Sequence, residues 1–556
     1  MNQEIKVRLC KRPYNPLDDD MVEIIEPDSK YVTDGIGQNF KYWTFRSPIF
    51  ISAQTGMGKN TFVENVLIED ALQNNYRILI ISNRVASNRQ QKQRIAKLIG
   101  REQYLEYYTL EGLDETQICE SVQIITYQKL GSTLSTFSPN KYSIVVFDEC
   151  HFFISDALFN NKTSEILRKS INAFQNSVRI YMTSTPDEIF SLILEEEKKL
   201  MYTSEYALYK RLKPYPYFKQ ILYYNFKRDY NYISTRYFNS EEEILELINK
   251  DCSEYKSILF INSKIRGKRL LERVGSNNAV FITAESKDSQ DTDGKIYTQI
   301  VNEEKFDCKV LICTSVLDNG INLKDPLLKN IIIFSYDKTE FLQMLGRKRI
   351  TDNEKINLYL YKGKVEEINA KLSIIKKQCG FINGFNSNPV SFLNKNFTNN
   401  DIYKGLFYFN KYQKLCLNEL AEKKLYNNKS FLERIIDSLN GGDKEAFILE
   451  QLSWIGLKET YNPSLYINYV DPDKNKADFI NFLDKYCGIP LSGDELDSFE
   501  KEFKTLTTAA YGMQEGDRQD RPNYKATKMR KIFKNYNLNY NIKIKDKVST
   551  LVKDVK

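Results

Sequence analysis

The sequence predicts an α/β protein in which two tandem parallel-sheet domains are followed by a mainly helical region. Three observations lead there. Short β-branched runs alternate with polar turns and helical patterns, as expected of strands buried on both faces of a parallel sheet. The alternation breaks off and begins again near Ser257. After about Val365 it stops, and helical spacing takes over.

In chain order, the first set of strands is "PIFISA", "YRILIIS", "VQIITYQ", "SIVVFDE" and "RIYMTST". The second is "SILFINS", "AVFITAE", "KVLICTS", "NIIIFSY" and "INLYLYK". Between them lies a connector dense in tyrosine, from Tyr202 to Tyr237. It either packs a strand and linker against the sheets or offers rings for bases to stack on. Stretches such as "EEINAKLSIIKKQ", "FLERIIDSLN" and "DSFEKEFKTLTTAAYG" then carry helical spacing. The expected domains are residues 1–200, 201–365 and 366–556.

A chain of 556 residues is long enough for about three domains. No apolar run reaches the roughly 18 residues that span a bilayer, and the first residues lack the apolar stretch of a signal peptide, so no membrane contact and a cytoplasmic setting are expected. Nine cysteines fall without a CxxC pair and there is one histidine, which argues against a zinc module or a disulfide framework. Eleven Lys or Arg face Asp546 and Asp554 from Arg521 onward, so the net charge of +7 lives in the tail. That tail is either a solvated terminus or a nucleic-acid contact, with Lys525, Lys528 and Lys531 within helical reach of one another.

Directly behind the first strand runs "AQTGMGKNT", Ala53 to Thr61. Strand, glycine-containing loop and helix in this order make a phosphate-binding loop. Its residues Gln54, Thr55, Gly56, Met57, Gly58, Lys59, Asn60 and Thr61 are the expected nucleotide-binding set. Gly56 and Gly58 let backbone amides face phosphate oxygens, and Lys59 adds a point charge at the outer phosphates. Asn60 stands where a magnesium-binding hydroxyl is expected. Its amide oxygen can serve the same ion, and Thr61 is the other candidate. At the end of a later strand, "SIVVFDECHFF" presents Asp148 to hold Mg2+ and Glu149 to polarise an attacking water, with His151 two positions on.

"DECH" resembles motif II of the DExH type of superfamily 2 helicases, and "AQTGMGKNT" resembles their motif I. The other motifs follow in the expected order: "ISNRVASNRQQ" looks like Ia, "ITYQ" like Ib, "MTSTP" like III, "FINS" like IV, "TSVLDNGINL" like V and "QMLGRKR" like VI. The match covers roughly residues 50 to 350. It implies two RecA-like domains with ATP between them and a single strand of nucleic acid across their tops. Gln343 would then sense the γ-phosphate, and Arg347 would be the arginine finger. The usual spacing QxxGRxxR would put a second arginine at Ile350, but it occurs at Arg349. Either the helix turns to present Arg349, or Arg347 acts with less help.

By the same resemblance Ser82, Asn83, Arg84, Thr126, Ser263, Lys264, Thr314 and Ser315 contact the nucleic-acid backbone, although turn capping is an equal alternative for each. Asp318 and Gly320 adjoin the nucleotide, and Thr183 and Thr185 link hydrolysis to strand movement. The implied activity is an ATP-dependent helicase or translocase on single-stranded nucleic acid, DNA over RNA, moving 3′ to 5′. The competing reading is an ATP-gated clamp with little unwinding. The helical domain carries no motif that resembles a known family, and could separate strands, dock a protein partner or recognise a structured substrate.

Overall fold

The computed structural model describes residues 15–83, 85–107, 117, 119–134, 136–203, 221–250, 254–314, 322–351, 353–396, 405–410, 412–468, 472–511, 524–546 and 548–553. The chain forms two compact units, Met1–Tyr461 and Asn462–Lys556.

The first unit holds two parallel sheets. Sheet A contains β1 (Val22–Ile25), β2 (Ile49–Ser52), β3 (Ile78–Ser82), β4 (Val122–Thr126), β5 (Ile144–Phe147), β6 (Val178–Thr183) and β7 (Ile221–Asn225). Its order is β1-β7-β2-β6-β5-β3-β4, and every neighbouring pair is parallel. Sheet B contains β8 (Ile233–Phe238), β9 (Lys256–Ile261), β10 (Ala279–Ile282), β11 (Val310–Cys313), β12 (Leu328–Phe334) and β13 (Ile356–Tyr361), in the order β10-β11-β9-β12-β13-β8. These are two RecA-like lobes.

Side chains alternate across a strand, so a sheet covered on both sides sorts odd from even positions. Sheet A does this. Phe50, Leu79, Ile81, Val145, Phe147 and Tyr181 enter one buried cluster, while Ile49, Ile51, Ile78, Ile80, Val146 and Ile180 enter another. The sequence runs marked ten of these strands. It missed β1, β7 and β8, where glutamate or tyrosine breaks up the β-branched pattern. On the described residues the tyrosine connector supplies β7 and β8 with a loop between them: Tyr223 stacks on Phe50 with ring centroids 5.1 Å apart, Tyr237 lies fully buried in β8, and Tyr230 and Tyr232 sit in the loop. Tyr206, Tyr209, Tyr215 and Tyr217 lie outside the described residues.

The stretch after Val365 divides. Helices Val365–Ser387, Pro389–Asn396, Glu419–Asn440 and Ala446–Trp454, with the hairpin β14 (Phe407–Phe409) and β15 (Leu415–Leu417), belong to the first unit. Cys379, Ile382, Phe392, Phe407, Leu420 and Leu425 share a core with one face of sheet A. The break between units thus falls at Tyr461, inside the stretch expected to be one helical domain.

The second unit packs helices Pro472–Tyr486, Gly493–Tyr511 and Ala526–Asn535 with an antiparallel sheet of β16 (Pro490–Leu491), β17 (Tyr540–Lys545) and β18 (Val548–Lys553). Its basic end is folded. Met529, Ile532 and Phe533 turn inward on one helix face, and Tyr540 and Ile542 do so on β17, leaving the lysines outside. Among the described residues no helix is long and apolar enough to cross a membrane.

A candidate nucleotide cleft between two lobes

The phosphate loop joins the carboxyl end of β2 to a helix that begins at Lys59. Gly56 and Gly58 have φ of +95° and +78°, which residues with a Cβ rarely adopt, so the loop needs glycine at both places. Met57 points inward and joins the core beside Val32, pinned by a bond from Val32 N to its carbonyl (2.9 Å). Lys59 is buried, and its Nζ donates to Ala53 O at 2.8 Å. Burial pulls the ammonium below the ordinary lysine range, while Glu149 and Asp148 pull it back. Asn60 is half-buried and Thr61 exposed. Gln54 turns away from the loop: its amide donates to Asp229 O (3.0 Å) and accepts from Asp229 N (2.8 Å), so it fastens the inter-lobe linker.

Register brings three strand ends together. Ser52 of β2 lies opposite Thr183 of β6, and Tyr181 of β6 lies opposite Phe147 of β5. Consecutive strand residues point to opposite faces, which would separate Asp148 from Glu149. Glu149 takes φ +48°, a left-handed conformation that costs a non-glycine residue about 1 kcal/mol or more and breaks the alternation. Both carboxylates therefore act on Lys59. Burial, then the neighbouring Glu149, pushes the Asp148 carboxyl well above the usual range. Burial pushes Glu149 the same way, but Lys59 and a hydrogen bond from His151 outweigh it and hold that carboxyl low. His151 Nδ1 lies 3.3 Å from Glu149 and 3.1 Å from Thr183 Oγ1, and Thr185 N donates to Thr183 Oγ1 at 3.0 Å. Motifs II and III are thus one hydrogen-bonded chain.

The second lobe reaches this site through helix Lys338–Leu345. Gln343 donates to Ser184 Oγ on the first lobe (3.1 Å) and accepts from Arg347 Nη2 (2.9 Å). Gly346 sits against Thr55 of the phosphate loop, where an added Cβ would come within 2.8 Å of the threonine side chain. The helix ends at Leu345, so it does not turn to present Arg349. Instead the chain runs extended, with Lys348 in a parallel bridge to Leu323, and Arg349 N donates to Leu323 O at 2.9 Å. Extended chain repeats every two residues, so Arg347 and Arg349 share a side and Lys348 takes the other. Lys348 is buried on Asp325 O and Glu354, while both arginines act on Lys59. The displaced arginine is a change of backbone: spacing of three suits a helix, and spacing of two suits this bridge.

Arg349 Nε donates to Asn322 Oδ1 (2.7 Å), but its Nη1 is buried without a hydrogen-bond partner, as is Asp148 Oδ1. Burial and the nearby Arg347 lower the Arg349 pKa to about 10. Three crowded cations beside a loop of amides ask for a polyanion. Two buried carboxylate oxygens among them, Asp148 Oδ1 and Glu149 Oε2, fit Mg2+, which takes one or two carboxylates and completes its octahedron with phosphate and water. No group of three or more His, Cys, Asp or Glu among the described residues is placed to hold a metal alone.

The expected nucleic-acid residues scatter in role. Thr126 and Ser263 are helix N-caps, accepting from Lys129 N (3.1 Å) and Arg266 N (3.2 Å). Ser82 is buried and hydrogen-bonds Asn88. Asn83 is buried with both amide atoms lacking a partner. Lys264 is half-exposed and paired with Glu285, and Thr314 N donates to Ile282 O at 3.2 Å. Arg84, Ser315, Asp318 and Gly320 lie outside the described residues. The sequence reading missed Ser184, Asn322 and Asp229. Ser184 could have been suspected, since it stands between Thr183 and Thr185, and Asn322 likewise, since it lies within "TSVLDNGINL"; the contact of Asp229 crosses the fold and leaves no local signal.

Residues 25–188 match the family model for the Type III restriction enzyme res subunit. No curated protein is a detectable relative. Among solved structures, the chain is similar to S. cerevisiae Dbp5 bound to RNA and ADP BeF3, with 12% identity, 57% of this chain and 79% of that one covered, and a TM-score of 0.40. It is also similar to Mss116p bound to ssRNA and AMP-PNP (13%, 88% and 99% covered, TM-score 0.44). A third is the Mycobacterium smegmatis helicase Lhr bound to ssDNA and AMP-PNP (14%, 60% and 46% covered, TM-score 0.39). The family match on the first lobe, together with the ordered motifs across both lobes, supports an ATP-dependent nucleic-acid motor of the helicase type.

Proposed function

We propose that the chain is an ATP-driven translocase that moves 3′ to 5′ along single-stranded DNA in the cytoplasm. The observation that carries the motor reading is the contact of the second lobe's Gln343 with Ser184 and of its Gly346 with Thr55 of the loop, which brings Arg347 and Arg349 of one lobe to the Lys59 site of the other. Charge stabilisation supplied across a cleft is complete only when the cleft is closed, so hydrolysis is tied to lobe motion. Lys59 and the loop amides bind the outer phosphates of ATP, and Arg347, steered by Gln343, stabilises the charge that develops on them. Glu149, kept ionised and aimed by His151, holds the attacking water and accepts its proton. Asp148 and the half-buried Asn60 would hold Mg2+, which neutralises phosphate charge when bound. The restriction-enzyme family match favours DNA over RNA.

The test is ATP turnover with and without single-stranded DNA or RNA, together with displacement of duplexes bearing 3′ or 5′ overhangs. Stimulation by DNA and displacement from 3′ overhangs is the expected result. Turnover unmoved by either polymer would leave the ATP-gated clamp.

A further inference from the structure

The first unit contains a second junction between the lobes, made by a side chain that belongs to neither. Helix Glu419–Asn440 delivers Lys424 into the seam, where it is 5% exposed. Its Nζ lies 2.6 Å from Glu188 Oε2, five residues beyond Thr183, and 2.5 Å from Asp337 Oδ2. Asn427, one helical turn further along, donates to the other oxygen of Glu188 at 3.0 Å. Asp337 does double duty: its Oδ1 caps the helix Lys338–Leu345 by accepting from Glu340 N at 3.0 Å.

That helix is therefore fixed to the first lobe at both ends. Its amino end is held to Glu188 through Lys424, and its carboxyl end to Ser184 through Gln343. Arg347 leaves the helix two residues after its last turn, so the helix axis decides where the guanidinium lands. The two carboxylates hold the Lys424 ammonium strongly protonated despite burial. With the lobes apart, a lysine there could reach one carboxylate and would leave the other buried or newly hydrated. A buried charge stripped of its partner is strongly unfavourable, so the triad discriminates between closed and open states.

We propose that Lys424 is a positioning residue for ATP hydrolysis: a latch from the helical layer that registers the arginine-bearing helix against the first lobe and favours the closed cleft. This rests on the ATP-cleft reading above. The layer that carries it packs on sheet A through Leu420, Ala421 and Leu425, so the latch is anchored on the first lobe and grips the second.

The test uses the full chain and compares Lys424→Met, Lys424→Arg and the charge-neutral triple variant Lys424→Met/Glu188→Gln/Asp337→Asn, which leaves no unpaired charge behind and keeps a capping side chain at position 337. Two readouts are needed: steady-state kcat and KM for ATP with single-stranded DNA, and the distance between dyes on the two lobes with a non-hydrolysable ATP analogue. In Lys424→Met and the triple variant, kcat should fall about 10-fold or more while analogue affinity moves less than about 3-fold, and the closed population should shrink. Lys424→Arg should recover most of both. Unchanged kcat and closure in the triple variant would overturn the proposal. So would equal losses of kcat and affinity that track the melting temperature, since those mark a merely structural contact. A Lys59→Ala control that hydrolyses ATP at full rate would fail the cleft reading itself; the dye distance would still report on the latch.

Discussion

At the scale of single residues, the backbone of the glycine loop and the place of the acidic pair were legible because their signals are local: glycines at positive φ and a strand running into two carboxylates can each be read from a few letters. What the letters concealed was geometry. Nothing in "QMLGRKRI" says that the helix stops at Leu345, yet that stop turns a spacing anomaly into two guanidinium groups on one side of an extended segment. Replacing Arg347 with alanine should lower nucleic-acid-stimulated kcat by about 10³-fold, with nucleotide affinity nearly unchanged, as measured by steady-state hydrolysis and analogue titration. Restoring the family spacing with Arg349→Ile/Ile350→Arg should not rescue activity lost in Arg349→Ile, because position 350 faces the wrong way. Recovery in that double variant would show that the bridge rearranges.

Among elements, the buried strands were legible and the polar ones were not. β-branched runs give β2 to β6 and β9 to β13 away, whereas β8 mixes Thr235 and Arg236 with its tyrosine and needed sheet B to define it. Position 424 carried no hint of function, since its partner Glu188 is 236 residues away in sequence. The segment that follows Arg349 illustrates how an element is secured electrostatically. Glu354 receives Lys329 at 2.8 Å and Lys348 at 2.7 Å. Burial opposes ionisation, but hydrogen bonds from the two lysines prevail and hold its carboxyl at about 2. A depressed folded-state value means that stability is present above the ordinary carboxylate range and is lost as pH falls toward about 2. Glu354→Gln should therefore cost about 1 kcal/mol at neutral pH, discounted because Lys329 is partly in water, and the gap from wild type should narrow steadily below pH of about 4.5 in denaturant melts. A gap independent of pH would mean that the glutamate acts by shape alone.

For the whole molecule, the division into compact units predicts which truncations survive. Residues 1–461 should unfold cooperatively and retain ATP turnover, because Asn462–Lys556 has its own core of Phe479, Phe499, Phe503 and Phe533. A chain ending at residue 364 should instead come out of solution during purification, which light scattering and circular dichroism would detect; a monodisperse, folded product would contradict this. The reason lies in the shared core, where Phe407, Leu420 and Leu425 cover the same face of sheet A as Phe50 and Phe147. It follows that the motif-bearing stretch is no interchangeable cassette. Any graft, ancestor or minimal engine built from this chain must carry the helical layer with it, so the roof over the first lobe and the engine beneath were constrained to change together.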